Sequence, residues 1–148
     1  METTQLLLFL EHAPAAVAMF DREMRYIVAS RRWLTDYGLD ADVIGRSHYE
    51  VFPKLPERWK EAHRRCLAGE NVVATEDRFI RADGRVRWQQ WETRPWRDER
   101  GGIGGVIIFT QDITDKKLQE ERRRSAETAL RESEELQNAI FEDSPDVI

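Results

Sequence analysis

His12, His48, His63 and the single Cys66 are the side chains of this chain best suited to acid–base, ligand or nucleophile chemistry near neutral pH. A neutral imidazole can hold a metal or a haem iron, and a thiolate can attack carbon. Their spacing matches neither use. One cysteine excludes an internal disulfide framework and a multi-cysteine zinc site. Ser30 and Ser47 stand with no histidine and carboxylate at a triad-like spacing. The run Gly101-Gly102-Ile103-Gly104-Gly105 lies between extended segments, where it makes a hairpin turn; a phosphate loop would open a helix. No catalysis is therefore expected of these residues. Any kinase or cyclase activity would reside beyond residue 148.

Charge narrows the partners. The chain has 28 acidic and 23 basic residues for a net charge of −5, so no basic excess is available for phosphate contacts, and no nucleic acid is expected as partner. No apolar run approaches the roughly 20 residues of a membrane span, so no membrane insertion is expected. The apolar Leu6–Leu10 stretch has Glu2 where a signal peptide needs a basic start, and Glu11, His12 and Pro14 cut it short. A cytoplasmic location follows as the expectation.

The elements that must position these residues read as α+β. Residues 3–12 predict a helix stopped by Pro14. Residues 16–21 and 25–30 predict two strands joined by a polar turn. Residues 31–38 predict a helical turn ended by Gly38, and residues 41–53 short helical pieces broken at Gly45 and Pro53. The segment from Pro56 to Gly69 predicts a longer helix with Trp59, Ala62, Cys66 and Leu67 on one face. Asp83-Gly84 predicts a two-residue hairpin turn between the next strands, and residues 103–113 a further strand. The order is two strands, several helices, then three strands. That predicts a five-stranded antiparallel sheet with helices inserted after strand 2.

Beyond Thr114 the composition changes. From Asp115 to Glu135, 13 of 21 residues are charged, and neither Gly nor Pro occurs between Gly105 and Pro145. This predicts one long helix whose sparse apolar residues form a weak coiled-coil seam, suited to a partner helix. Residues 9–17, FLEHAPAAV, resemble residues 140–148, IFEDSPDVI. The expectation is a domain over residues 1–114, a coiled-coil-like linker over 115–139, and the truncated start of a second similar repeat over 140–148, cut from a longer protein.

Three pieces, RADGRVRW at the first hairpin, RPWRDERGGIGGV at the second and QDITDKK at the exit, resemble in order and spacing the PAS sensory domain family over residues about 4–114. The resemblance implies a PAS fold in a bacterial signalling protein such as a sensor kinase or diguanylate cyclase. It implies a signal junction at Asp112, Ile113 and Thr114, with Thr114 as cap of the long C-terminal signalling helix. It implies an output domain in cis, and the sparse apolar seam of the long helix points to homodimers. Matching the hairpins turns Asp77, Phe79, Gln89, Trp91, Thr93, Ile108 and Thr110 toward a pocket covered by helices. Trp88, Glu92, Trp96, Ile107 and Phe109 then face outward, to be covered by the N-terminal helix or a second copy.

The candidate pocket is completed by His48, Phe52, Trp59 and His63. No cofactor is assigned to it. Flavin adduct chemistry in light-sensing relatives needs a cysteine where this chain has His48, which forms no such adduct; noncovalent flavin stays open. Haem-binding relatives place their histidine about a turn before His63, where this chain has Arg58 and Trp59. Arg64 and Arg65, next to His63, would turn it toward water. A small organic ligand and a filled core with satisfied hydrogen bonds fit the residues equally. The function the resemblance implies is a sensing and dimerisation module that passes ligand or partner state through its exit helix to an output domain, with a ligand-free interaction module that only holds two chains together as the alternative.

Overall fold

The computed structural model describes residues 15–81 and 84–143, with Gln5 and Leu8 besides. The predicted N-terminal helix otherwise lies outside the described residues. The chain divides after Asp112 into two compact units.

The first unit is a five-stranded antiparallel sheet: β1 (Ala16–Asp21), β2 (Tyr26–Ala29), β3 (Val72–Ile80), β4 (Val86–Arg97) and β5 (Ile103–Asp112), in the order β2-β1-β5-β4-β3. Between β2 and β3 come α1 (Arg31–Tyr37), a 3-10 turn at Ala41–Val43, α2 (His48–Val51) and α3 (Glu57–Leu67). This is the α+β order read from the sequence. The helices cover one sheet face, since Trp33 and Cys66 join Phe20, Val106 and Ile108 in one buried cluster. Ser30, fully buried, fixes the first helix to the sheet: its hydroxyl accepts the Val17 and Trp33 N–H groups and donates to the Ala15 carbonyl. It is therefore an N-cap. At the other end Gly38, at φ +63°, supplies the left-handed residue that closes α1.

All three hairpins turn the same way. Asp21 pairs with Arg25, Arg81 with Arg85 and Asp98 with Gly102, each through an N–H···O=C bond, and a second bond inside each loop comes from Met24, Gly84 or Gly101. Those three residues have φ +59°, +84° and +82°. Three residues therefore separate the paired ends, and the last of them is left-handed. The two-residue turn expected at Asp83-Gly84 is thereby corrected, because Gly84 takes the bulge position that a three-residue loop requires. Met24 accepts the left-handed strain because its side chain is buried.

Opposite residues in an antiparallel pair share a face. Asp77 lies opposite Gln89, Phe79 opposite Arg87, Trp91 opposite Thr110 and Thr93 opposite Ile108. On the other face Trp88 lies opposite Arg78, and Glu92 opposite Phe109. Trp96 crosses the backbone at the β4–β5 turn and donates its indole N–H to the Phe20 carbonyl at 2.7 Å. Only glycine fits beneath it: a Cβ on Gly104 would meet the Trp96 ring at 2.2 Å, and one on Gly105 the Phe20 carbonyl at 1.8 Å.

The second unit is a helix, α4 (Thr114–Asp143). Thr114 is its first residue, and the Ile113 carbonyl accepts the Lys117 N–H at 2.9 Å. Ile113, rather than the expected Thr114, therefore holds the cap position. Only Ile113 separates it from the end of β5. The helix continues past residue 139 to Asp143, and Leu130, Leu136 and Ile140 on it are exposed. The repeat expected at 140–148 falls mostly on residues outside those described, as do residues 9–14 of its first copy.

Candidate functional site

The helical side of the sheet holds an aromatic and imidazole cluster. Phe20, Tyr26 and Trp33 surround His48, whose ring centroid lies 4.9 Å from Phe20 and 5.3 Å from Phe52. His63 is next, with centroids 5.6 Å apart. Each imidazole meets a tyrosine: Tyr26 Oη lies 2.9 Å from His48 Nδ1, and Tyr49 Oη 2.9 Å from His63 Nδ1. Trp33 donates its indole N–H to the Tyr26 oxygen. The Tyr26 oxygen thus links the Trp33 indole to His48 Nδ1, a bond that either tautomer of the imidazole can make.

Burial, helped by His63, brings the His48 pKa down to about 3. Burial, helped by Arg64, brings His63 down to about 4. Both rings are neutral at pH 7. The expectation that His63 faces water is overturned: it is 4% exposed. Along α3, Trp59, Ala62, His63 and Cys66 fall on the inner side, while Arg64 and Arg65 fall outside on Glu57, Glu61 and Glu70.

A second constellation ties α3 to the sheet. Asp77 accepts from Arg58 Nε at 2.9 Å, from the Trp91 indole N–H at 2.7 Å, and from the Trp59 indole N–H. Arg58 also donates to the Arg78 carbonyl, and Trp59 packs edge-on against Phe79. A third lies near the end of β5. Gln89 donates its amide N–H to Tyr37 Oη, which donates in turn to Thr110 Oγ1 at 3.1 Å. Gln89 is the register partner of Asp112. Thr93 donates weakly to the Val72 carbonyl and also bonds the Cys66 thiol, which burial pushes up to about 11. Cys66 is thus a protonated core residue.

The candidate residues therefore fall into three adjoining sets: His48, Phe52 and His63; Trp59, Asp77, Phe79 and Trp91; Gln89 and Thr110. Thr93 and Ile108 lie in the floor of the sheet. Sequence reasoning missed Tyr26, Tyr37 and Tyr49, the hydroxyl partners of the polar groups, and Arg58. Tyr37 had a signal: it sits one helical turn after Trp33, and their rings lie 4.8 Å apart. A groove of about 450 Å³, lined by Arg32, Asp36, Val73, Glu92, Phe109 and Gln111 among others, shares only Trp91 and Thr110 with the expected set.

Among the described residues no group of three or more His, Cys, Asp or Glu could hold a metal ion. No helix among them is long and apolar enough to cross a membrane.

Comparison with known proteins fits this geometry. The family model described as the PAS fold matches residues 10–118. The virulence sensor protein BvgS of Bordetella parapertussis is 28% identical over 112 residues, which are 72% of this chain and 9% of BvgS. The solved PAS domain of Bordetella pertussis BvgS superposes with a TM-score of 0.64 at 20% identity, over 85% of this chain and 96% of that one. Vibrio cholerae VqmA, solved with ligand and DNA, superposes with a TM-score of 0.61 at 24% identity, over 78% of this chain and 53% of VqmA. At these identities the two structures share the fold with this chain. The chain spans less than a tenth of the curated relative's length.

Proposed function

Because this chain belongs to the PAS fold family, we propose that it is the sensing and dimerisation module of a longer signalling protein, passing ligand or partner state through α4 to an output domain in cis. The observation that carries this reading is the junction. β5 ends at Asp112 and α4 begins at Thr114, with no glycine or proline between. A strand that runs into a helix through one residue has little slack, so a shift of β5 moves the start of the helix. A ligand drives such a shift only by binding the two states with different affinity. The match to a virulence sensor protein supports the sensory part of the reading.

The pairing partner is a second copy, joined through the exposed Leu130, Leu136 and Ile140 of α4 and the outer sheet face. Catalysis is assigned outside this segment, and no nucleic-acid contact is assigned within it. VqmA has DNA in its structure, but about half of that chain lies beyond the shared fold.

A second reading, a ligand-free module that only joins chains, is favoured by one observation: Asp77, Gln89 and Thr110 already have protein partners. An absorption spectrum and native mass of the intact protein separate the two. Colour argues for haem or flavin, and a colourless protein with extra mass for a small metabolite. A mass equal to the polypeptide or its dimer favours the second reading. Light scattering that finds only monomers at high micromolar concentration removes both.

A further inference from the structure

The corner where α3 meets β3 and β4 gathers four N–H donors on one carboxylate. Arg58 Nε and Nη2 each lie 2.9 Å from Asp77 Oδ1, and the Trp59 and Trp91 indoles both reach Oδ2. On the same face Arg87, opposite Phe79, has its Nε buried with no hydrogen-bond partner. Buried N–H groups are rarely left so, and each one asks for an acceptor. Two guanidinium groups thus share a face with one carboxylate.

Access and exchange are both provided for. The Arg58 side chain is 50% exposed while that of Asp77 is only 10% exposed. Asp77 comes from the edge strand β3, just after the pairing irregularity between Ala74 and Asp77. An edge residue beside a bulge can turn outward without opening the central ladder.

We infer that Arg58, Trp59 and Trp91 form a carboxylate-binding subsite whose resident occupant is Asp77, and that a small soluble carboxylate takes the place of Asp77, with Arg87 as second cation. The inference rests on the sensory reading and names the ligand class for it. The chemistry matches: a planar carboxylate offers two oxygens, one for the guanidinium edge and one for the two indoles. Asp77 keeps these donors satisfied when no ligand is present, where they would otherwise be buried orphans. Exchange of one carboxylate for another releases Asp77, and with it the tie between α3 and β3.

The five tryptophans make the test direct, because each indole N–H gives one signal in a nitrogen-15 spectrum. In Asp77→Ala, sodium acetate is expected to move the Trp59 and Trp91 signals saturably, with half-saturation in the millimolar range. Sodium chloride at equal ionic strength leaves them in place, and the Trp33 signal, held by Tyr26, stays still under both. Adding Arg58→Gln abolishes the response. The unaltered chain needs much more acetate, because a tethered Asp77 competes at high effective concentration. A folded Asp77→Ala protein that treats acetate and chloride alike overturns the inference. Should Asp77→Ala not fold, refolding by acetate and not by chloride supports the subsite, and no rescue overturns it. Acetate binding that leaves pairing through α4 unchanged would count against the sensory reading and not against the subsite.

Discussion

Neutral buried imidazoles make stability depend on pH with a definite sign. An unfolded histidine takes up its proton near pH 6.5, whereas His48 and His63 are held down to about 3 and about 4. Between those limits the unfolded chain binds more protons, so stability is complete above pH 6.5 and falls as pH drops through 5 toward 4. The loss by pH 5 is roughly 2 kcal/mol for each histidine. Urea melts across this range should show it, and His48→Phe should remove about half of the slope. A slope unchanged by that substitution would place the effect elsewhere. Trp91 offers a second test at this scale. Its indole is half-buried and bonded to Asp77, so Trp91→Ala should cost about 3–5 kcal/mol with no dependence on protein concentration. Trp88→Ala, on the opposite face, should weaken association instead. Melts at several concentrations separate the two, and exchanged outcomes would mean the assigned faces are reversed.

Strands and turns show best how much the residues announce. β1 appears at the predicted Ala16–Asp21, and the five-stranded order with inserted helices was legible, because strand alternation, Gly38 and the Pro56-to-Gly69 stretch are local signals. The faces given to β3 to β5 came from the family resemblance, and the strand period of two keeps alternate residues on one side. What escaped were features set by distant partners. Nothing near His63 says that Tyr49 will meet it, and the charge of Arg64 and Arg65 pointed the wrong way. The loop at Gly84 differs from a two-residue turn by one position, since Arg81 is the residue paired with Arg85. Glycines 104 and 105 read as turn residues, yet Gly104 is required by Trp96, eight residues earlier, and Gly105 by Phe20. Gly104→Ala should therefore cost about 2–3 kcal/mol, while Gly102→Ala, with its nearest neighbour at an ordinary 3.6 Å, should be nearly silent. Equal effects in denaturant melts would remove the role given to the Trp96 ring.

For the whole molecule the proposed parallel pairing carries an electrostatic signature. The second half of α4, residues 129–143, carries five acidic residues and one arginine, against four acidic and five basic residues over 114–128. Copies aligned in register bring like charges together. Screening should therefore strengthen the dimer as salt rises, which sedimentation at low and high salt would read. Dissociation by salt would instead indicate an opposed alignment. The strand order has a consequence for how the protein is made. β1 sits inside the sheet, between β2 and the central β5, with Ala16 opposite Thr110 and Asp21 opposite Gly105. The first strand out of the ribosome must wait for the last before its open side is filled. Long-range pairing of this kind slows folding and leaves apolar edges exposed meanwhile. A nascent chain halted anywhere before β5 has two hairpins and no joined sheet, so it should be open to proteases and chaperones until synthesis has passed Asp112.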